Sequence, residues 1–452
     1  MITEQSPVVW LIRPWIEDFS AFDHFDQPVG LLSLAAWLRQ NGCRVYYIDA
    51  LSGNKPPENS PGETAAEKVS LKLRKYPCHQ IEKPIVFRCI PRYYKHFGTS
   101  LETLKKELES LPVPQVILIT TGMTYWYQAV QSFVQVLQAL YPASPIAIGG
   151  IYAGIVPEHA RACLQRTTVF PGQAGQQFFS WMSKILGFNI HPPTDQATIL
   201  PAWDLVSNRS YIIYTTSRGC LRRCSYCAAS LLRPVWKARP PNVIRNEIEA
   251  LITQYQVSDI ALYDDDLGCS TLEGQQHLTG LLQMLVSHEF PINWHLPNAL
   301  GVDAVTPEVA RLMYQAGFEQ PRLSLHHLDK HLDEKGLDTR ARKAFETAAK
   351  RLVEAGYEQS RLSTYLIAGL PGQKLSWLKK AADQLLDVGV KPYLAQFSPI
   401  PGTPAGEKRL QQLTEKFKTD DLLLTNKIFS VYAHDGWSEE DYQMLVLELK
   451  NR

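Results

Sequence analysis

The sequence predicts an α/β protein built from two successive parallel-sheet domains: a doubly wound sheet, then a partial (β/α)6 barrel closed by a short helical region. Three observations predict it. Short β-branched and aromatic runs alternate with amphipathic segments along nearly the whole chain. A stretch with few periodic positions, containing HPP and ILPAW, interrupts that alternation once, at 187–206. With 452 residues, the chain exceeds what one hydrophobic core usually organises.

The first series runs over 1–186. VVWLI (8–12) reads as a buried strand, GLLSLAAWLRQNG (30–42) as an amphipathic helix ending in a glycine cap, and RVYYI (44–48) as the next strand. VILIT (116–120), a helix near 127–141, IAIGG (146–150), a helix opening at Pro157, TTVF (167–170) and a helix through Phe179 continue the pattern. Residues 53–113 form an insertion with several prolines and an aromatic cluster, PRYYKHFG (91–98).

The second series, 207–404, offers six strands: YIIYTT (211–216), DIALY (259–263), INWHL (292–296), RLSL (322–325), LSTYLIA (362–368) and YLAQFS (393–398). Six such units suggest an open relative of the eight-stranded barrel. Residues 405–452 contain two amphipathic helices, the second opened by the capping sequence SEED (438–441).

Lysine and arginine number 46 against 45 acidic residues, so no overall field draws the chain to nucleic acid or to an anionic membrane. The amino terminus lacks a basic, apolar leader and no apolar run approaches spanning length, so cytoplasmic residence is expected. Of eight cysteines, five are scattered, while Cys220, Cys224 and Cys227 crowd into SRGCLRRCSYC. That is the distribution of a metal site in a reducing compartment, not of a disulfide framework.

The three cysteines follow the first barrel strand, at the end where parallel barrels build their sites. A C-x3-C-x2-C loop can place three thiolates on three irons of a cubane cluster and leave the fourth iron open. Structural zinc is the alternative, and it needs a fourth ligand, for which Cys269 is the candidate. Tyr226 sets an aromatic ring beside the last cysteine, where it can pack on an adenine.

Cys220, Cys224, Tyr226 and Cys227 resemble the signature of the radical S-adenosylmethionine superfamily. The resemblance implies a [4Fe-4S] cluster whose open iron chelates S-adenosylmethionine and whose electron releases a 5′-deoxyadenosyl radical. It also implies an electron donor such as flavodoxin or ferredoxin. Asp264 and Asp265 in YDDD match the family's acidic pair near the cosubstrate, Ser324 a contact position, and Gly369 and Gly372 in AGLPGQ a close approach to adenine. His326 and His327 stand where relatives often carry a glutamate, and a neutral imidazole supplies no fixed negative charge.

Open parallel sheets bind ligands beyond the carboxyl ends of their strands. Arg13 and Pro14, Thr120, Thr121 and Gly122, and Gly149 and Gly150 occupy those ends in the first domain. Their order, together with the runs 27–50, 81–98 and 120–127, resembles the B12-binding-type, Rossmann-like domain of cobalamin-dependent radical enzymes. The resemblance implies cobalamin on those residues. Met123, Tyr125 and Trp126 follow the third strand and are candidates for lining the corrin's face or a substrate cavity, with core packing as the alternative. The lower axial histidine motif is absent, RPWIEDF (13–19) standing in its place, so a bound cobalamin would be base-off. FPGQAGQ (170–176) replaces the usual glutamates, and a cofactor-free module is the alternative.

The family pairing implies a cobalamin-dependent methyltransferase acting on an unactivated carbon of a small molecule or peptide. Two rivals remain: radical rearrangement, cyclisation or carbon–carbon bond formation without methyl transfer, and a non-catalytic iron–sulfur electron carrier.

Overall fold

The computed structural model describes residues 3–23, 25–52, 74–192, 199–207 and 209–452. It divides into two compact units, Met1–Arg209 and Ser210–Arg452.

In the first unit five strands run parallel: Val8–Arg13, Arg44–Asp49, Val116–Thr121, Ile146–Gly150 and Thr168–Val169. Numbered along the chain, their order across the sheet is two, one, three, four, five. Val9, Leu11, Val116, Leu118 and Ala147 face a core shared with helices Val29–Gln40 and Gln176–Leu186. Trp10, Ile12, Ile117, Ile119 and Ile148 are equally buried on the alternate positions. Burial on both faces is why these strands appear in the sequence as continuous apolar runs. The order reverses between the first and third strands, so the crevice favoured for ligands lies beyond Arg13 and Thr121.

The described part of the 53–113 insertion, residues 74–113, folds against the chain leaving the first strand; 53–73 lie outside the described residues. Strand Lys95–Phe97 pairs antiparallel with both Ile16–Asp18 and Cys78–Gln80. Ile16, Leu51, Tyr76 and Phe97 close a small core there. Of the expected linker, 193–198 lie outside the described residues. Its carboxyl end is not free: Trp203 is fully buried, the Ala202 N–H donates to the Leu32 carbonyl, and Arg39 pairs with Asp204 at 2.7 Å. ILPAW lacks periodicity because it packs as an irregular strap.

Gly150 ends the fourth strand at φ 96°, ψ −165°, a conformation open essentially to glycine, and an added Cβ would lie 2.3 Å from the Thr121 carbonyl oxygen. Gly150→Ala is therefore expected to cost at least about 1–3 kcal/mol in a denaturant titration. A stability equal to that of the unmodified protein would show that this strand end can move.

The second unit contains all six expected strands, all parallel to their neighbours, in two sheets. Ile212–Tyr214, Asp259–Leu262 and Asn293–His295 form one. Arg322–Ser324, Ser363–Ala368 and Lys391–Gln396 form the other, with the two-residue strand Leu300–Gly301 at its edge. Among the described residues the third and fourth expected strands do not pair; an isolated bridge joins Trp294 to Phe318, four residues before the fourth strand. Beyond the barrel lie helices Pro404–Phe417 and Glu439–Asn451, the second opened by a capping box between Ser438 and Asp441, with the one-turn helix Phe429–Tyr432 between them. No helix among the described residues is long and apolar enough to cross a membrane.

Candidate active site

The first barrel strand delivers the chain into a two-residue ribbon, Ser217–Arg218 paired antiparallel with Lys237–Ala238. Gly219 follows at φ 87°, where an added Cβ would sit 2.0 Å from the Val235 carbonyl oxygen. Only glycine passes this point, and the next residue is Cys220. The Cys220 N–H then donates to the Arg233 carbonyl at 3.1 Å.

Cys220, Cys224 and Cys227 line one cavity of about 380 Å³, together with Arg223, Gly402 and Thr403. Cys220 is buried and Cys227 exposed. Burial, with the neighbouring Asp266 carboxylate, pushes the Cys220 thiol up to about 12, and burial also raises Cys227. The backbone N–H groups of His327 and Ala229 point at the sulfurs of Cys224 and Cys227, each at 3.5 Å. His327 reaches that position with φ 53°, a left-handed conformation rare outside glycine. Its backbone, not its imidazole, touches the cysteine loop.

Among the described residues no three His, Cys, Asp or Glu side chains converge on a single-ion site. Cys269 does not supply the fourth thiol that zinc requires: it is fully buried under the start of helix Leu272–His288, where a Cβ at Gly274 would meet its carbonyl oxygen at 2.4 Å. Three thiols around a shared cavity, two of them facing backbone donors, suit a polynuclear cluster.

YDDD shows where sequence reasoning missed a function. Asp264, fully buried, accepts at Oδ1 from the Thr216 N–H (3.0 Å), the Ser217 N–H (2.5 Å) and both hydroxyls. Asp265 accepts from the Gly219 N–H at 2.9 Å and pairs with Arg233 at 3.0 Å. Asp266 holds Arg222 at 3.0 Å. The three carboxylates therefore clamp the loop that carries the cysteines.

The other expected cosubstrate residues are spread around the barrel ends. Tyr226 packs half-buried against Leu370, Phe397 and Ala405. Ser324 ends the fourth strand in register with Gly301. Burial, with Arg222 nearby, holds the His326 imidazole down to about 4, so it is neutral near pH 7. Gly369, at φ 108°, leaves room for Ser430, whose Cβ would lie 2.4 Å from an added methyl; Gly372 meets nothing.

Two buried side chains absent from the sequence reading fix the 369–373 turn. Gln373 Oε1 accepts from the Gly369 and Leu370 N–H groups, and its amide donates to the Ile367 carbonyl. His434 Nε2 lies 3.1 Å from the Leu370 carbonyl oxygen, its Nδ1 accepts from the Gly436 N–H, and its ring stacks on Trp437 at 3.6 Å. Nε2 therefore carries the proton.

Burial holds His434 down to about 4 from an ordinary 6.5. Because the folded value is the lower one, its stabilising contribution is complete above about pH 6.5 and is lost as pH falls toward about 4. The thermal midpoint is expected to fall more steeply over that window in the unmodified protein than in His434→Gln. Parallel curves would remove His434 as the cause.

In the first unit, Arg13 is not available at the strand end. It is buried, bonded to Asp26 (2.6 Å) and Tyr76 (3.1 Å), with Asp49 at 3.5 Å; burial opposes its charge, and the two acids outweigh that. Pro14 leads into the small antiparallel sheet. Thr120 and Thr121 lie in register with Gly149 and Gly150, and the Thr121 hydroxyl donates to the Gly149 carbonyl. Gly122 accommodates the Trp126 ring, whose Nε1 donates to Asp18; Tyr125 is buried, while Met123 is exposed.

The parallel strands, the switch point in the first unit and the cysteine loop at a barrel strand's end together define a two-unit α/β class with three thiols gathered at one barrel end. Residues 214–385, within the second unit, match the family model described as the radical SAM superfamily. Among solved structures the chain is similar to TsrM from Kitasatospora setae, described as a radical S-adenosylmethionine methyltransferase with tryptophan substrate and a SAM analog bound. The likeness has a TM-score of 0.59 at 15% identity, over 90% of this chain and 77% of that one. It is also similar to OxsB, a cobalamin-dependent S-adenosylmethionine radical enzyme, with a TM-score of 0.56 at 14% identity, over 99% of this chain and 61% of that one. These likenesses extend across both units and show a shared fold, a doubly wound parallel-sheet unit followed by a partial barrel.

Proposed function

We propose that the protein is a cobalamin-dependent radical S-adenosylmethionine methyltransferase acting on an unactivated carbon of a small molecule. The observation that carries the reading is the single cavity lined by Cys220, Cys224 and Cys227 within the radical SAM domain. The methyl-transfer part is supported by the two-unit fold shared with TsrM. When bound, the cluster with S-adenosylmethionine supplies a hydrogen-abstracting radical, and cobalamin supplies a transferable methyl group.

In this reading the three thiols hold a [4Fe-4S] cluster, and the raised Cys220 thiol must lose its proton as metal binds. The N–H groups of His327 and Ala229 stabilise thiolate charge. Asp264, Asp265 and Asp266 keep the loop in place, and Gln373 with His434 keeps the 369–373 turn in place for the cosubstrate. Cobalamin would lie over Thr120 and Gly149, where a methyl on Gly149 would meet only the Phe170 carbonyl, at 4.0 Å.

The test is anaerobic reconstitution with iron, sulfide and hydroxocobalamin, read by optical and paramagnetic-resonance spectra. About one cobalamin per chain in the base-off form, reductive cleavage of S-adenosylmethionine and a methylated product are expected. Cleavage without retained cobalamin would leave the radical chemistry and remove methyl transfer by this route. Retained cobalamin and cleavage without a methylated product would point instead to radical chemistry without methylation.

A further inference from the structure

Reducing a cluster adds one negative charge among its thiolates, so charges fixed close to those sulfurs decide how readily the electron is accepted. One such set of charges stands at Cys220. Asp266 Oδ2 lies 3.8 Å from the Cys220 sulfur and 3.0 Å from Arg222 Nε. A single carboxylate oxygen thus faces a cysteine of the cavity on one side and a guanidinium on the other.

Arg222 also reaches Asp303 at 3.2 Å, and its backbone carbonyl lies 3.8 Å from the same sulfur. The Arg222 side chain is 12% exposed and that of Asp266 3%, against 49% for Asp303. Water and salt screen an exposed charge such as Asp303, and they screen the buried pair far less. Arg223, the next cation along the loop, is exposed. The His326 imidazole, 3.9 Å from Asp303, is neutral near pH 7 and adds no charge.

As a brace alone, this arrangement is a poor one. Taking two ions out of water costs free energy that their attraction often fails to recover, and an apolar pair of similar volume holds a loop as well. A thiolate at Cys220 would also meet the Asp266 carboxylate as a like charge. What the ions supply, and an apolar pair does not, is a permanent positive charge beside that carboxylate, because arginine is not deprotonated in proteins.

We propose that Arg222 holds the reduction potential of the cluster up by offsetting the Asp266 carboxylate beside Cys220. The proposal rests on the reading of Cys220, Cys224 and Cys227 as ligands of a [4Fe-4S] cluster. In the step concerned a low-potential reductant loses one electron and the cluster gains it; no bond forms or breaks. Arg222 acts through Asp266 and Cys220, so it is a positioning residue and not a catalytic one.

The experiment takes reconstituted full-length protein without S-adenosylmethionine and titrates it with dithionite through redox mediators. The paramagnetic-resonance signal of the reduced cluster is the readout. Arg222→Gln removes the positive charge but keeps an amide that can donate to Asp266. Asp266→Asn removes the negative charge but keeps an oxygen that can accept from Arg222. Arg222→Gln is expected to make the cluster about ten-fold harder to reduce (~59 mV lower for one electron), and Asp266→Asn to shift it the opposite way. Arg222→Lys, which keeps the charge, should stay within about two-fold of the unmodified protein. The shifts should persist in high salt, with iron content unchanged.

Equal midpoints in Arg222→Gln and the unmodified protein would overturn the proposal. Shifts of the same sign in Arg222→Gln and Asp266→Asn would do so too, since two opposite charges cannot produce them. Loss of iron from Arg222→Gln and Arg222→Lys alike would make Arg222 a structural support instead. Failure of the reduced, unmodified protein to cleave S-adenosylmethionine would overturn the radical reading and leave the midpoint shifts to be judged by themselves.

Discussion

Replacing any one of Cys220, Cys224 or Cys227 by alanine is expected to abolish the reconstituted cluster signal and S-adenosylmethionine cleavage, while Cys269→Ala keeps both. The three residues share one cavity, and each loss leaves an iron without its thiolate. Cys269 lies away from that cavity beneath the Thr271-capped helix, with the Thr271 hydroxyl 3.8 Å from its sulfur, so its removal affects packing only. Iron and sulfide analysis with low-temperature paramagnetic resonance decides the matter. A Cys269→Ala protein that lost its metal along with the others would restore the four-thiol zinc alternative.

The fold was legible where one local rule settled the outcome. Strands such as Val116–Thr121 and Ile146–Gly150 are buried on both faces, so their apolar runs could not be mistaken for surface segments. Ser438 and Asp441 announced a helix start through a three-residue spacing, and the capping box formed. The cysteine loop was legible for the same reason: its three cysteines lie within one short stretch.

What escaped depends on contacts between distant segments. Arg13, at a strand end, had the place of a ligand residue, but its partners Asp26, Asp49 and Tyr76 come from three other segments and consume its charge. His434 lies 64 residues from the turn it holds, and no spacing rule connects them. The break between the two barrel sheets was also hidden, because the INWHL and RLSL runs appear identical whether they pair with each other or not. YDDD was recognised as a functional position, yet its side chains turned out to brace the cysteine loop, a role that only the hydrogen-bond directions reveal.

Asp264 is the position where that bracing should matter most. Its Oδ1 accepts four hydrogen bonds from Thr216 and Ser217, and its own carbonyl accepts one from the Asn298 side chain, at a site closed to solvent. Asp264→Ala strands two backbone N–H groups and two hydroxyls in the interior. At about 1–3 kcal/mol for each group left unsatisfied, the expected loss of stability is about 2 kcal/mol or more even if the hydroxyls reorient. Asp264→Asn keeps the accepting oxygen and should cost about 1 kcal/mol. Asp303, by contrast, pairs with Arg222 at 3.2 Å from a half-exposed position, and Asp303→Ala should cost no more than about 1 kcal/mol. Because Thr216 and Ser217 lead directly into Gly219 and Cys220, the loss should extend to the metal site. The alanine variant should take up less iron than the asparagine variant at a temperature where both remain folded by circular dichroism. Equal iron content in the two, or an alanine variant as stable as the unmodified protein, would show that the cysteine loop holds its shape without the carboxylate.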